Sequence, residues 1–193
     1  MPQLKPLPHI SEEEYIQGEE AASTRHDYID GRVYDIDNYD AYGMAGTSAR
    51  HNLIAVNAGS LLSSRLPDDC EVFVSDMKVR IQRERAVIFF YPDALVSCAA
   101  DDRADYYRAK PCLIIEVLSP STERQDRFEK FWSYQQIPSL QEYLLLSQQQ
   151  PEAVLFRRAD GWQPEIYNEG TLFLAPVNFE MPLDALYRRV HFD

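Results

Sequence analysis

Thiol and imidazole chemistry is thinly supplied in this chain. The three cysteines, Cys70, Cys98 and Cys112, are an odd number and form no CxxC pair, so the sequence suggests neither a disulfide framework nor a thiolate zinc site. The four histidines, His9, His26, His51 and His191, match no HExxH or comparable spacing, which disfavours a zinc hydrolase. There is no P-loop, no GxGxxG run and no G-x-S-x-G elbow, and Ser119 and Ser121 in LSPST read as a turn and cap before a helix. No apolar stretch is long enough to span a bilayer, and the opening MPQLKPLPHISEEEYIQGEEAA lacks the apolar core of a signal peptide. A soluble protein of the reducing cytoplasm is the expectation. Basic residues are also scarce: 19 Lys and Arg stand against 31 Asp and Glu, and the net charge of −12 repels polyanions unless a local cleft overrides it.

What is present is apolar patterning. With 193 residues and 45% hydrophobic content the chain can bury one sizeable core, and a single domain over residues 1–193 is expected. Ser11 with Glu14 three residues on has the spacing of a capping box, which predicts a short helix to about Ala22. HDYIDGRVYDI alternates around Asp30-Gly31 as a hairpin does, and the acidic DIDNYDAY after it reads as a solvated loop. From Ser48, Leu53, Ile54, Ala58, Leu61 and Leu62 recur at helical spacing until Pro67. EVFVSDMKVRIQ, AVIFFYPDALVSC and CLIIEVLS read as three strands of one sheet, the first two separated by a charged RER turn. Residues from Thr122 to Gln136 carry Phe128, Phe131 and Trp132 on one side, as expected of a helix covering a sheet, so these aromatics are assigned to packing. QEYLLLS is a further strand, and AVLFRRADGWQPEIY with TLFLAPVNF an antiparallel C-terminal extension.

Two carboxylates interrupt these apolar runs. Glu116 lies inside CLIIEVLS and Asp93 inside FFYPDALV, where a bare ion costs on the order of several kcal/mol. Carboxylates on neighbouring strands can share a hard cation such as Mg²⁺, which keeps several waters for chemistry. In a purely structural protein, each would instead be buried against a cation of its own.

The pattern RHDYIDGRVY, SARHNLIAVNAGSLL, SDMKVRI, YPDALV and IIEVLSPSTERQDRFEKFWSYQQIPSLQEYLLL extends over most of the chain and resembles the Uma-two family of restriction-endonuclease-like proteins. That resemblance implies an α/β fold, a restriction-endonuclease-like mixed sheet flanked by helices, with a PD-(D/E)xK site and metal-dependent DNA cleavage. Carried over residue by residue, Pro92 and Asp93 supply the PD half, and Glu116 the acid of the following strand. Asp93 and Glu116 are then the ligands for Mg²⁺ or Mn²⁺. The superfamily lysine, two residues further on the same strand face, is replaced here by Leu118.

Lys130 is the first substitute, because Asp126, Lys130 and Tyr134 recur every fourth residue on one helix face; the bland alternative is an exposed i, i+4 pair worth roughly 0.3 kcal/mol. Lys78, two residues after Asp76 and on a strand expected to pair with that of Asp93, is the second, with an edge-strand charge as its alternative. Asp76 is either a further metal-side carboxylate or a partner of Lys78 or Arg80. The resemblance adds Asp27 as an outer-sphere acid, one methylene shorter than the family's usual glutamate. His51, at the start of a helix whose end favours anions, is either a phosphate contact or structural. Arg103, Arg108, Lys110, Arg124, Arg127 and Lys130 form either a basic rim or, with the acids between them, a mixed surface. The leading expectation is a homodimeric Mg²⁺-dependent DNA endonuclease using Asp93, Glu116, Lys130 and Asp27; the rival is a catalytically silent nuclease fold kept as a nucleic-acid or protein binding module.

Overall fold

The computed structural model describes residues 9–36, 47–84, 86–120 and 122–192. Helix α1 (Glu12–Ala21) opens on Ser11, whose hydroxyl accepts from the Glu14 amide while the Glu14 carboxylate accepts from the Ser11 amide. The hairpin β1 (His26–Ile29) and β2 (Arg32–Asp35) turns at Asp30 and Gly31, both with positive φ. The acidic loop expected at DIDNYDAY falls mainly on residues outside the described set. Helix α2 (Ala49–Ser63) follows its Ser48 cap. Next come β3 (Glu71–Val74), β4 (Lys78–Gln82), β5 (Val87–Phe90), β6 (Ala94–Ser97), β7 (Tyr107–Arg108) and β8 (Leu113–Leu118). After a π-helical turn over Gln125–Lys130 come α3 (Phe131–Tyr134), β9 (Glu142–Ser147), β10 (Ala153–Arg157), β11 (Pro164–Tyr167), β12 (Thr171–Leu174), β13 (Phe179–Pro182) and α4 (Leu183–Leu186).

The fold is mixed α/β. One sheet runs β2-β1-β5-β4-β7 and a second β11-β10-β9-β8-β6-β3, with β12 and β13 apart as a pair. The second sheet is mixed, since β8 and β9 are parallel and its other pairs antiparallel. This corrects the expectation of three strands in one sheet. EVFVSDMKVRIQ breaks at Ser75 and Asp76, which take positive φ, and its two halves, β3 and β4, enter different sheets. AVIFFYPDALVSC breaks likewise at Tyr91-Pro92-Asp93 into β5 and β6. The proline has no amide for a ladder, so the run changes sheet there.

Strand β8 is buried along its whole length and sorts its side chains by parity. Leu113, Ile115 and Val117 face the cluster under α2 and α4, with Ile54, Ala58, Leu62, Leu172 and Leu186. Ile114 and Leu118 face a second cluster with Val79, Phe90, Tyr134 and Tyr143, and Glu116 shares their side of the strand. Helix α2 reaches the edge strand β3 through Gly59, where any Cβ would clash with Val74 Cγ2. Phe131 packs on Tyr143 and Phe156, but Phe128 and Trp132 are 59% and 62% exposed. Their assignment to packing is therefore corrected. The side of the helix facing the sheet is taken by Asp126, Lys130, Ser133 and Tyr134.

The absence of a disulfide is a third expectation overturned: Cys70 and Cys98 are bonded, and Cys112 is free and buried. Glu71 pairs with Ser97 in the β3–β6 ladder, so one further step along it brings residues 70 and 98 opposite each other, a proximity invisible in their linear spacing. Among the described residues no helix is long and apolar enough to cross a membrane.

Candidate active site

Asp93 sits just before β6, and the pairing of Ala94 with Ile115 carries it opposite Glu116 on β8. The Asp93 amide approaches Glu116 Oε2 at 3.4 Å, and Asp93 Oδ2 accepts from the Val117 amide at 2.6 Å. His51 Nε2, from the first turn of α2, stands 3.2 Å from the same Oδ2. Asp93 keeps 22% of its side chain exposed, whereas Glu116 keeps 3%. One carboxylate therefore looks outward and the other lies beneath it.

Below them the helix after β8 delivers Lys130. Its ammonium donates to Glu116 Oε1 at 3.0 Å, lies 3.1 Å from Asp126 Oδ1, and approaches the Tyr91 carbonyl at 3.4 Å. The Tyr134 hydroxyl donates to Glu116 Oε1 at 3.0 Å. Asp126 is steadied by the Thr122 hydroxyl, at 2.8 Å from Oδ2. The π turn matters to this convergence. In an α-helix residue i+4 lies about 40° past residue i, so Asp126, Lys130 and Tyr134 would drift steadily around the axis. Its i to i+5 hydrogen bonds make the π turn wider, which reverses that drift between Asp126 and Lys130. The α turn that follows restores it, so all three side chains return to one line above Glu116.

Asp27 on β1 completes the group. It is 1% exposed, and its Oδ2 accepts from Gln125 Nε2 at 3.2 Å. Its Oδ1 is buried with no hydrogen-bond partner among the described residues. Burial pushes the Asp27 carboxyl up to about 6, against the pull of Lys130 and Gln125 and with the Asp126 charge adding to the rise. Burial likewise raises Glu116 well above the carboxylate range, with Lys130 opposing and Asp126 and Asp93 reinforcing. Desolvation works against a charged Lys130, yet Asp126, Glu116, Asp27 and Asp93 together hold it well above its ordinary value. The cluster thus sets four carboxylates around one ammonium.

That crowding of carboxyl groups, two of which burial biases toward their neutral forms, is the observation that fits a divalent cation, whose charge would favour ionisation. Asp93 and Glu116 are oxygen donors on adjacent strands, and among the described residues no third His, Cys, Asp or Glu joins them in a metal-holding group. Two carboxylates with water and substrate oxygens are a usual Mg²⁺ environment, whereas a fully enclosed Ca²⁺ cage needs more ligands. The purely structural arrangement, each carboxylate against a cation of its own, does not describe Asp93, whose neighbours are a backbone amide and an imidazole.

The remaining candidates lie apart. Lys78 donates to the Tyr91 hydroxyl at 3.2 Å, on the far side of Tyr91 from Lys130, and no hydrogen bond or ion pair joins it to Asp93 or Glu116 among the described residues. Asp76 is 80% exposed and 3.5 Å from Arg25, while Arg80 pairs with Glu12. The basic rim resolves into a mixed surface: Arg103 and Arg108 share Glu71, Lys110 pairs with Asp101, and Arg127 with Glu123. Two residues were underweighted in sequence. His51 meets a carboxylate rather than open solvent, and Asp126 belongs to the buried group rather than to an exposed helix pair. The four-residue spacing of Asp126, Lys130 and Tyr134 signalled the second; His51 carried no comparable signal.

The fold is shared with a solved structure. A crystal structure of a protein from Anabaena variabilis, described as a "putative nuclease belonging to DUF820", superimposes with a TM-score of 0.65 at 13% identity, covering 86% of this chain and 91% of that one. The chain belongs to the Uma2 family, described as "Putative restriction endonuclease", whose model matches residues 12–183. Two uncharacterized proteins of Synechocystis sp. are also similar. One is 36% identical over 192 residues, covering 97% of this chain and 96% of its own length. The other is 38% identical over 139 residues, covering 70% and 73%.

Proposed function

We propose that this protein is a divalent-metal-dependent nuclease that hydrolyses phosphodiester bonds in DNA. The observation that carries the reading is the meeting of an outward-facing Asp93 with Glu116 on the neighbouring strand, while the Lys130 ammonium lies 3.0 Å from Glu116 and 3.1 Å from Asp126. Membership of the Uma2 family supports it. Asp93 and Glu116 would hold Mg²⁺ or Mn²⁺, which when bound supplies a water of lowered pKa and stabilises charge on the phosphoryl oxygens.

Lys130 takes the part of the lysine missing at Leu118. From the helix it reaches the same carboxylate that a strand lysine would flank, where its donors are taken by Glu116, Asp126 and the Tyr91 carbonyl and its charge would offset charge developing on the phosphate. Leu118 instead packs into the apolar cluster on its face of β8. Tyr134 fixes Glu116 Oε1, Asp126 holds Lys130 from below, and Asp27 steadies Gln125 at the start of the π turn. A homodimer would set two such sites about a two-fold axis, as the two strands of a duplex require.

Cleavage of supercoiled plasmid with Mg²⁺ or Mn²⁺ tests the reading, using wild type and folded Asp93→Ala, Glu116→Ala and Lys130→Ala variants. Nicking by wild type, with a loss of about 10²–10³-fold in each variant, is expected. Variants that match wild type would assign the cutting to another site or a contaminant. A wild type that never cuts would favour the silent binding module.

A further inference from the structure

Lys78 is no more exposed than Lys130, though it lies nearer the surface, and has none of its company. The residue is 6% exposed, and among the described residues its ammonium makes no ion pair. It is held instead by aromatic groups: the Tyr91 hydroxyl accepts from Nζ at 3.2 Å, and Nζ lies 5.1 Å from the centre of the Tyr91 ring and 6.0 Å from that of Tyr106. The nearby acids are engaged elsewhere. Glu19 accepts from the Tyr91 hydroxyl at 2.6 Å and meets His26 Nδ1 at 2.7 Å, and Asp76 faces Arg25 at 3.5 Å. Burial holds the amine below its ordinary range, although Glu19, Asp76 and Glu20 pull it upward.

A desolvated ammonium without a counter-ion is costly to keep, and an anion brought to it gains more than at an open surface, where water screens the charge. Two of its three N–H donors remain to be engaged, since the amine makes a single hydrogen bond among the described residues. Tyr106, whose ring lies 6.0 Å from the amine, is 48% exposed, so surface lies close to Lys78. The position relative to the candidate active site follows from one residue. Tyr91 presents its side chain to Lys78 and its carbonyl to Lys130, and it immediately precedes Pro92 and Asp93.

We infer that Lys78 anchors a subsite for a non-reacting phosphate of the nucleic-acid strand, one Tyr91 width away from the phosphate at Asp93 and Glu116. This rests on the nuclease reading for its choice of anion and gives Lys78 a binding role in place of a catalytic one. A lysine meeting a phosphate acts as a point charge, so the contact is indifferent to base sequence. It also gives an acidic protein one local hold on a polyanion that its net charge repels.

The test is duplex binding by fluorescence anisotropy, with Ca²⁺ replacing Mg²⁺, over salt from about 50 to 200 mM. Wild type is compared with Lys78→Met, Lys78→Gln and Lys110→Met, each first shown to unfold at a normal temperature. Lys78→Gln retains a donor for Tyr91 without the charge, and Lys110 is a surface residue paired with Asp101. Both Lys78 variants should weaken binding roughly five- to tenfold, equally for duplexes of different sequence, and lower the salt slope by about one. Lys110→Met should track wild type. Lys78 variants that also track wild type would overturn the subsite, as would a wild type that binds no duplex at about 50 mM salt. A wild type that binds with the Lys78-dependent slope but leaves plasmid intact would keep the subsite and remove the hydrolysis.

Discussion

On its carbonyl side Tyr91 meets a lysine crowded by acids, and on its hydroxyl side a lysine enclosed by rings. Lys130 and Lys78 are 7% and 6% exposed, so exposed area does not distinguish them. Their surroundings do. Four carboxylates raise Lys130 well above its ordinary value, while desolvation prevails at Lys78 and lowers it. The first region gathers carboxyl groups and suits a cation; the second holds a desolvated amine that makes no ion pair among the described residues and suits an anion. Metal and phosphate are the two ionic requirements of the phosphodiesterase proposed above, and Tyr91 would separate the places that answer them.

The strongest way to break the contrast is to remove each ammonium. Lys130→Met strands Glu116 and Asp126 without their counter-ion and should destabilise the fold by about 3–5 kcal/mol near neutral pH. Lys78→Met removes a desolvated charge that has no ion pair and should cost far less or nothing. Denaturant unfolding of both variants checks this, and equal losses would remove the distinction.

A smaller effect, with a definite sign, comes from Asp27. Its carboxyl stands at about 6 in the fold against an ordinary 3.8, so between these values the folded state binds the extra proton. Its stabilising contribution is present below about 4 and is lost as pH rises through about 6. The loss amounts to up to roughly 3 kcal/mol for a shift of about two units. Asp27→Asn has no such titration, so its stability relative to wild type should improve between pH 4 and pH 7.5. A flat difference across that range would show that Asp27 is not held protonated by burial.

The smallest concerns His51. Removing the imidazole beside Asp93 Oδ2 leaves that oxygen with the Val117 amide alone among the described residues. His51→Ala should weaken Mn²⁺ binding about tenfold, as expected when a group orienting a metal ligand is lost. His51→Gln, which can donate from a similar position, should recover part of it. Calorimetric titration reads both, and unchanged affinity in the alanine variant would make His51 a packing residue.

Much of this arrangement was legible in the chain. The capping box, the Asp30-Gly31 turn and the apolar runs locate the elements because each is set by neighbours a few residues away. Asp93 and Glu116 announced themselves as charges inside apolar strands, and the four-residue recurrence of Asp126, Lys130 and Tyr134 pointed to a shared face. What escaped is long-range or hidden by continuity. EVFVSDMKVRIQ reads as one strand because nothing in its alternation marks the positive φ of Ser75 and Asp76. The meeting of His51 with Asp93 depends on how α2 lies on the sheet, and the Cys70–Cys98 bond depends on the β3–β6 register. Phe128 and Trp132 were misplaced because apolar character was taken for burial, while polar residues occupied the inner face.

The contact of Gly59 with Val74 has a mechanical consequence. Helix α2 is a stiff rod, and His51 lies eight residues from Gly59, about 12 Å along the axis. A side chain at position 59 would have to displace Val74 or lift the rod from the strand. The element that carries a histidine to the mouth of the site thus rests, at a point that touches neither His51 nor Asp93, on a missing methyl group at the edge of the sheet.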